Sequence, residues 1–163
     1  MMSPKSQSTQ KSFSYIQTNI ASIDKVFPLL CPVREKDWLD GWEYRMIYSK
    51  SGVVEENCVF ATPHHGESET IWHVTQHDQE RYQIEFVRLT PGENVVRINI
   101  RLEAVSENKT YTYITYLYTG LNEKQNHYIQ NQLVNDFNSS MLWWETAINY
   151  YLKNGKILKK DSF

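Results

Sequence analysis

Six residues between His64 and His77 carry side chains that can bind a metal or move a proton: His64, His65, Glu67, Glu69, His73 and His77. Imidazole and carboxylate are good zinc donors, and imidazole titrates near neutrality, so the cluster suggests metal or general acid–base chemistry. Spacing argues against the metal. On a strand His73 and His77 share a face but stand ~13 Å apart, too far for one ion, while His64 and His65 sit in a loop. No metal is expected, and a solvated surface cluster is the simpler reading. His73, with Ile71 and Thr75 on its face, is the best single candidate for a pocket base or a hydrogen bond to a ligand.

Arg88 ends a stretch in which Tyr82, Ile84, Phe86 and Arg88 alternate with polar residues. An inward guanidinium there would hold a carboxylate or carbonyl of an otherwise apolar molecule. A place at the solvated rim is cheaper, because a buried unpaired cation is costly. Glu145 borders the apolar stripe of the last helix, where it either pairs with Arg88 or a tyrosine, or marks the polar boundary. Cys31 and Cys58 lack zinc-ligand or disulfide-framework spacing and read as reduced, buried thiols. No nucleophile-elbow, dinucleotide-binding, P-loop or His-Glu-x-x-His pattern occurs, and no cofactor is expected.

The elements that must position these groups are mostly strands. Ser12 to Ile20 alternates as a strand. Two short helices follow, one capped by Ser22 or Asp24 and one from Val33 to Leu39. Strands are then expected over Trp42–Tyr48, Asn57–Thr62, Glu69–His77, Arg81–Leu89, Val95–Ala104 and Thr110–Thr119, the last with a bulge near Ile114. From Asn122 to Asn154 the spacing predicts one amphipathic helix roughly 45 Å long, with Ile129, Leu133, Phe137, Met141, Trp144, Ile148 and Tyr151 as its stripe. A sheet wrapped around such a helix leaves room for a hollow.

The chain has 163 residues, is 40% hydrophobic and contains five Trp and eleven Tyr, which suits one domain whose aromatics line a cavity or an interface. Residues 1–11 are expected to be a disordered leader, 12–155 the single domain, and 156–163 a flexible basic tail. A formal net charge of −2 gives no basic field. Nucleic acid is therefore not an expected partner. The sequence has no signal-peptide pattern and no run of ~18 apolar residues, so a cytoplasmic protein without stable membrane insertion is expected.

The order of strand, two short helices, six antiparallel strands and a long C-terminal helix resembles the START-like superfamily (SRPBCC). Its helix-grip members include the birch-pollen-allergen-like (Bet v 1-like) and polyketide cyclase/dehydrase-like proteins. Four segments carry the resemblance: Asn19 to Phe27, Trp38 to Trp42, Glu69 to Trp72, and Tyr118 to Leu121. It implies an α+β helix-grip fold, with a curved antiparallel sheet of about seven strands around a long C-terminal helix and two short helices after strand 1. It also implies a cavity for lipids, polyketides or other apolar molecules, where some members catalyse cyclisation or dehydration. The glycine-rich loop of the pathogenesis-related plant members is replaced here by Ser51-Gly52-Val53-Val54-Glu55-Glu56.

The expected ligand is a small hydrophobic molecule, lipid-like or aromatic. Trp42, Tyr44, Met46, Phe60, His73, Tyr82, Phe86, Arg88 and Ile98 would contact it from the sheet, with Tyr48, Ile84 and Ile100 on the same faces. Phe137, Met141 and Trp144 would contact it from the helix. Alternatives are a polyketide cyclase or dehydratase using His73 or a tyrosine, and a chaperone-activator-like interaction module using Trp143 and Tyr150. A monomer or homodimer suits all three.

Overall fold

The structure is a computed structural model that describes residues 7–162. Seven antiparallel strands form one sheet in the order β1-β7-β6-β5-β4-β3-β2. They are β1 (Gln10–Asn19), β2 (Arg45–Tyr48), β3 (Val59–Pro63), β4 (Glu69–Asp78), β5 (Gln83–Thr90), β6 (Asn94–Ser106) and β7 (Lys109–Gly120). Between β1 and β2 lie α1 (Ile23–Val26), a short 3₁₀ turn and α2 (Pro32–Trp38). This segment carries the chain to the far edge of the sheet, from which consecutive hairpins return it to β1. The architecture is α+β: a curved sheet gripping C-terminal helices, as expected.

Alternation decides which face is dry. In β6, Val96, Ile98, Ile100 and Leu102 are buried, and in β7 every even position from Thr110 to Gly120 is buried. That run is unbroken and its pairing with β1 and β6 holds register through Ile114, so the expected bulge there does not exist. Tyr111 and Tyr113 consequently face outward, while Tyr116 and Tyr118 face the core. The strand expected from Trp42 begins only at Arg45: Trp42 and Tyr44 precede β2 and, like Met46, are half-buried, while pairing shifts after Met46 and Tyr48 is exposed.

The expected single long helix is two, α3 (Glu123–Asn131) and α4 (Leu133–Asn154), broken at Gln132 with φ −123° and ψ −32°. No proline or glycine is responsible. Gln132 still donates its amide to the Tyr128 carbonyl at 2.9 Å, and the Asn131 side chain donates to the His127 carbonyl at 2.9 Å, so the last turn of α3 is closed before the chain departs from helical geometry. Asn122 caps α3 by accepting from the Gln125 amide at 2.8 Å, and Gly155 ends α4 at φ 66°. None of the described helices is long and apolar enough to cross a membrane.

Polar contacts clamp α4 to the open edge of β1. Glu145 accepts from the Thr18 amide at 2.7 Å and from the Tyr15 hydroxyl at 2.8 Å. Asn149 donates to the Thr18 carbonyl at 2.8 Å and accepts from the Ile20 amide at 3.2 Å. Burial and the Glu145 carboxylate push the Tyr15 pKa up to about 12, so the phenol stays a donor. Both ends of the described segment are also held. Strand β1 begins at Gln10, within the expected leader, and the Thr9 carbonyl accepts from the Gly120 amide. In the expected flexible tail, Leu158 bridges Leu39, the Lys160 amide donates to Asp40 at 3.0 Å and its ammonium lies 5.7 Å from the Trp143 ring centroid. The rest of the expected leader, residues 1–6, lies outside the described residues.

Gly120 is where three segments meet. A Cβ there would stand 2.2 Å from Asn126 Oδ1, which is itself held by the Thr9 amide at 3.0 Å. Gly120→Ala is expected to lower stability by about 2 kcal/mol, or roughly 4–8 °C in Tm. Thermal melting followed by circular dichroism checks it, and an unchanged Tm would mean that Asn126 swings aside at no cost.

Candidate functional site

Between the concave face of the sheet and α4 lies a cavity of about 270 Å³. Phe137, Met141 and Trp144 line it from α4, and Trp72, Arg88, Tyr116 and Tyr118 from the sheet, with Trp42 at one side. Tyr128 and Leu133, which flank the helix break, also line an outer chamber of about 390 Å³. Inward, the cavity narrows to a cleft of about 20 Å³ among Trp42, Phe60, Phe86, Ile98, Tyr116 and Glu35, room for about one water-sized group. The deep end is tightly filled by rings: Phe60 stacks on Trp72 at 5.4 Å, and Phe86 meets Trp72 edge-on at 5.9 Å.

Arg88 occupies the junction of the middle and outer chambers. The residue is half-buried there, between the solvated rim and the deep end. Its guanidinium carbon lies 5.2 Å from the Trp72 ring centroid and 5.7 Å from those of Tyr116 and Tyr118, and Nη2 donates to the Tyr118 hydroxyl at 3.0 Å. Three aromatic rings replace part of the lost hydration. Yet its Nε is buried with no hydrogen-bond partner, and among the described residues no carboxylate lies within ion-pair distance of it. Two carboxylates on the walls of these chambers are engaged elsewhere: Glu93 with His64 at 2.9 Å and Asp136 with the Tyr128 hydroxyl at 2.5 Å.

At the other end stands Glu35. It is 7% exposed, on the fifth position of the α2 N-terminal segment beginning at Cys31, and its carboxyl has no hydrogen-bond partner among the described residues. Trp38, stacked edge-on against Trp144 at 5.2 Å with its indole N–H on the Leu29 carbonyl, fixes α2 in the orientation that sends Glu35 inward. Burial alone raises the Glu35 pKa to about 8, so the group is mostly a neutral acid at pH 7. Beside it, burial likewise pushes the Tyr116 phenol up.

Of the residues expected to contact a ligand, Trp42, Phe60, Phe86, Arg88, Ile98, Phe137, Met141 and Trp144 line this cavity. Ile84 and Ile100 are buried, and Ile100 reaches the deep cleft. Tyr44 and Met46 are half-buried against the core without lining it, Met46 Sδ lying 3.5 Å from the buried Cys58 thiol. His73 is elsewhere. It is exposed on the convex face, 3.2 Å from Asn57 Oδ1, because Thr70, Trp72 and Val74 take the inward positions of β4. Tyr82 also leaves the expected face: it precedes β5 with φ 54° and donates to Asp24 at 2.5 Å.

Sequence reasoning missed Glu35 and Trp72. The even positions of β4 signal Trp72, but Ile71 and His73 give the opposite face a comparable claim. Glu145 faces β1 and not Arg88. In the loop that replaces the glycine-rich one, Glu55 accepts from the Lys50 amide, from the Ser51 amide at 2.9 Å and from the Ser49 hydroxyl at 3.0 Å. The turn thus satisfies its own donors with a carboxylate, which the Ser51 amide in particular holds below its usual pKa.

No family model matches the sequence, and no curated protein matches it either. The fold is the helix-grip fold of the Bet v 1-like and polyketide cyclase-like proteins. Norcoclaurine synthase from Thalictrum flavum superposes with a TM-score of 0.68 at 13% identity, covering 93% of this chain and 99% of that one. The ZhuI aromatase/cyclase from Streptomyces sp. R1128 gives 0.68 at 10% identity, with coverage of 92% and 100%. A hypothetical protein, jhp0584 from Helicobacter pylori, gives 0.67 at 12% identity, with 90% of each chain covered.

The Glu35 pKa predicts a pH dependence of stability. The folded pKa is raised above the ordinary carboxylate value of 4.5, so between about pH 4.5 and 8 the unfolded chain releases a proton that the folded chain retains. Stability from this group is full at low pH and declines as pH rises through that window. Glu35→Gln is expected to match wild type near pH 5 and to melt higher by roughly 5 °C or more at pH 8. Parallel melting curves across pH test it, and a constant offset between the two proteins would refute the raised pKa.

Proposed function

We propose that this protein binds a small, mostly apolar molecule in the sheet–helix cavity and orients it by an anionic or strongly polar end held at Arg88. The observation that carries the reading is the state of that arginine. A guanidinium set among three rings, with a buried N–H unpartnered and no ion-paired carboxylate among the described residues, has its charge compensated only in part. A carboxylate on an aromatic or aliphatic body supplies the missing charge and fills the apolar middle chamber. Norcoclaurine synthase has been solved with dopamine and hydroxybenzaldehyde, both small aromatic molecules, which supports this choice of ligand size and character.

A second reading is an enzyme of the cyclase or dehydratase type, favoured by Glu35. A neutral carboxylic acid with an open hydrogen-bonding capacity, next to the Tyr116 phenol in an aromatic cleft, is suited to donate a proton to a carbonyl oxygen. His73, exposed on the convex face, cannot serve that role from where it stands.

Fluorescence titration of the cavity tryptophans with 2-naphthoate and with the neutral 2-naphthalenemethanol tests the binding reading. Arg88→Gln is expected to weaken naphthoate at least tenfold while leaving the alcohol within about twofold. Equal affinity of both probes for wild type, unchanged by the substitution, would overturn it. Native mass spectrometry of the purified protein then identifies any resident molecule.

A further inference from the structure

A separate recess of about 490 Å³ opens between α1, α2, the loop after β2 and the β4–β5 turn, and shares no lining residue with the cavity described above. We propose that this recess is a second binding site, one for an organic ammonium ion on a small apolar body.

Two backbone irregularities aim its walls. Pairing of β4 with β5 shifts between Val74 and Gln76, and that bulge turns His77 to the side of its partner Ile84, where it stacks on Phe27 at 5.5 Å. Across the turn, Tyr82 adopts φ 54°, a left-handed conformation that a bulky residue holds only against strain. Its ring meets Phe27 edge-on at 5.6 Å and its hydroxyl donates to Asp24 Oδ1 at 2.5 Å. A leftover crevice would need neither irregularity. The opposite wall, Val53 and Val54, belongs to the loop that Glu55 ties down through the Ser49, Lys50 and Ser51 contacts.

The charge of the site selects its occupant. Asp24 has no Lys, Arg or His within ion-pair distance among the described residues, and Arg34 on the same rim gives its Nε–H to Asp37 at 2.8 Å. Burial lowers the His77 pKa and so disfavours a competing positive charge on that ring. A carboxylate with no ion-pair partner, beside π faces, attracts a cation and repels an anion, and the apolar side chains of Phe27, Pro28 and Val54 take the hydrocarbon part.

Amide chemical shifts of ¹⁵N-labelled protein, titrated with benzyltrimethylammonium, benzyl alcohol and benzoate, test the proposal. The ammonium probe is expected to shift the amides of residues 24–34 and 77–82 saturably and to bind roughly tenfold tighter than the alcohol, with benzoate weakest. Asp24→Asn should remove most of that preference. Tyr82→Leu, which keeps the bulk and loses the π face, should weaken the ammonium severalfold with a dispersed spectrum retained. Equal binding of the three probes, no loss in Asp24→Asn, no shifts, or shifts confined to the surroundings of Trp72 and Tyr116 would each overturn it. The last outcome would leave the main cavity reading intact.

Discussion

The molecule depends on how α4 meets the open edge of β1. Edge strands normally expose a row of unpaired amides and carbonyls, and here Glu145 and Asn149 reach across to satisfy the donors of Thr18 and Ile20 and the carbonyl of Thr18. This clamp is directional. It fixes the C-terminal half of α4 against β1, where Ala147 and Ile148 are fully buried, and lets the N-terminal half cross the concave face at a stand-off. The stand-off is the cavity. A purely apolar interface along the whole helix would slide into the sheet until the space was filled, because dispersion and burial both favour closer approach. The polar clamp fixes where that closure stops.

The cavity then carries two polar groups in an aromatic enclosure, at opposite ends and in opposite states. Arg88 rests against ring faces and one tyrosine hydroxyl, whereas Glu35 is kept mostly neutral by burial without a stabilising partner. The same burial therefore gives a fixed cation near the mouth and a neutral acid at the bottom. Tyr116 faces both, and the Arg88 charge opposes the effect of burial on its phenol. Each of these groups costs folding free energy in place of an apolar side chain, which is the pattern expected where a site has been kept at the expense of stability.

What the sequence made legible follows from the range of each interaction. Period-2 patterning in Val95 to Ala104 is local, and the structure keeps it residue for residue. The inward face of β5 is equally plain, and it puts Arg88 on the correct side; its depth is not legible, because the rings that shelter it come from β4 and β7. In β4 both faces carry apolar residues, and only contact with Phe60 and Phe86 makes Trp72 the inner one. The seven-residue α2 is too short for a periodic pattern to reveal that Glu35 points inward. Tyr82 gives no sign of a positive φ, which in sequence is signalled by Gly or Asn. The break at Gln132 lacks the proline or glycine that would announce it in the sequence.

That break divides the enclosure between two rigid pieces. Helix α4 is tied to β1 and forms the roof over the middle chamber, whereas α3 brings Gln125 and Tyr128 to the outer chamber and is joined to α4 through one non-helical residue. The two pieces are tied across the break, where the Tyr128 hydroxyl of α3 donates to Asp136 of α4 at 2.5 Å, so the mouth and the middle chamber share a wall built from both helices.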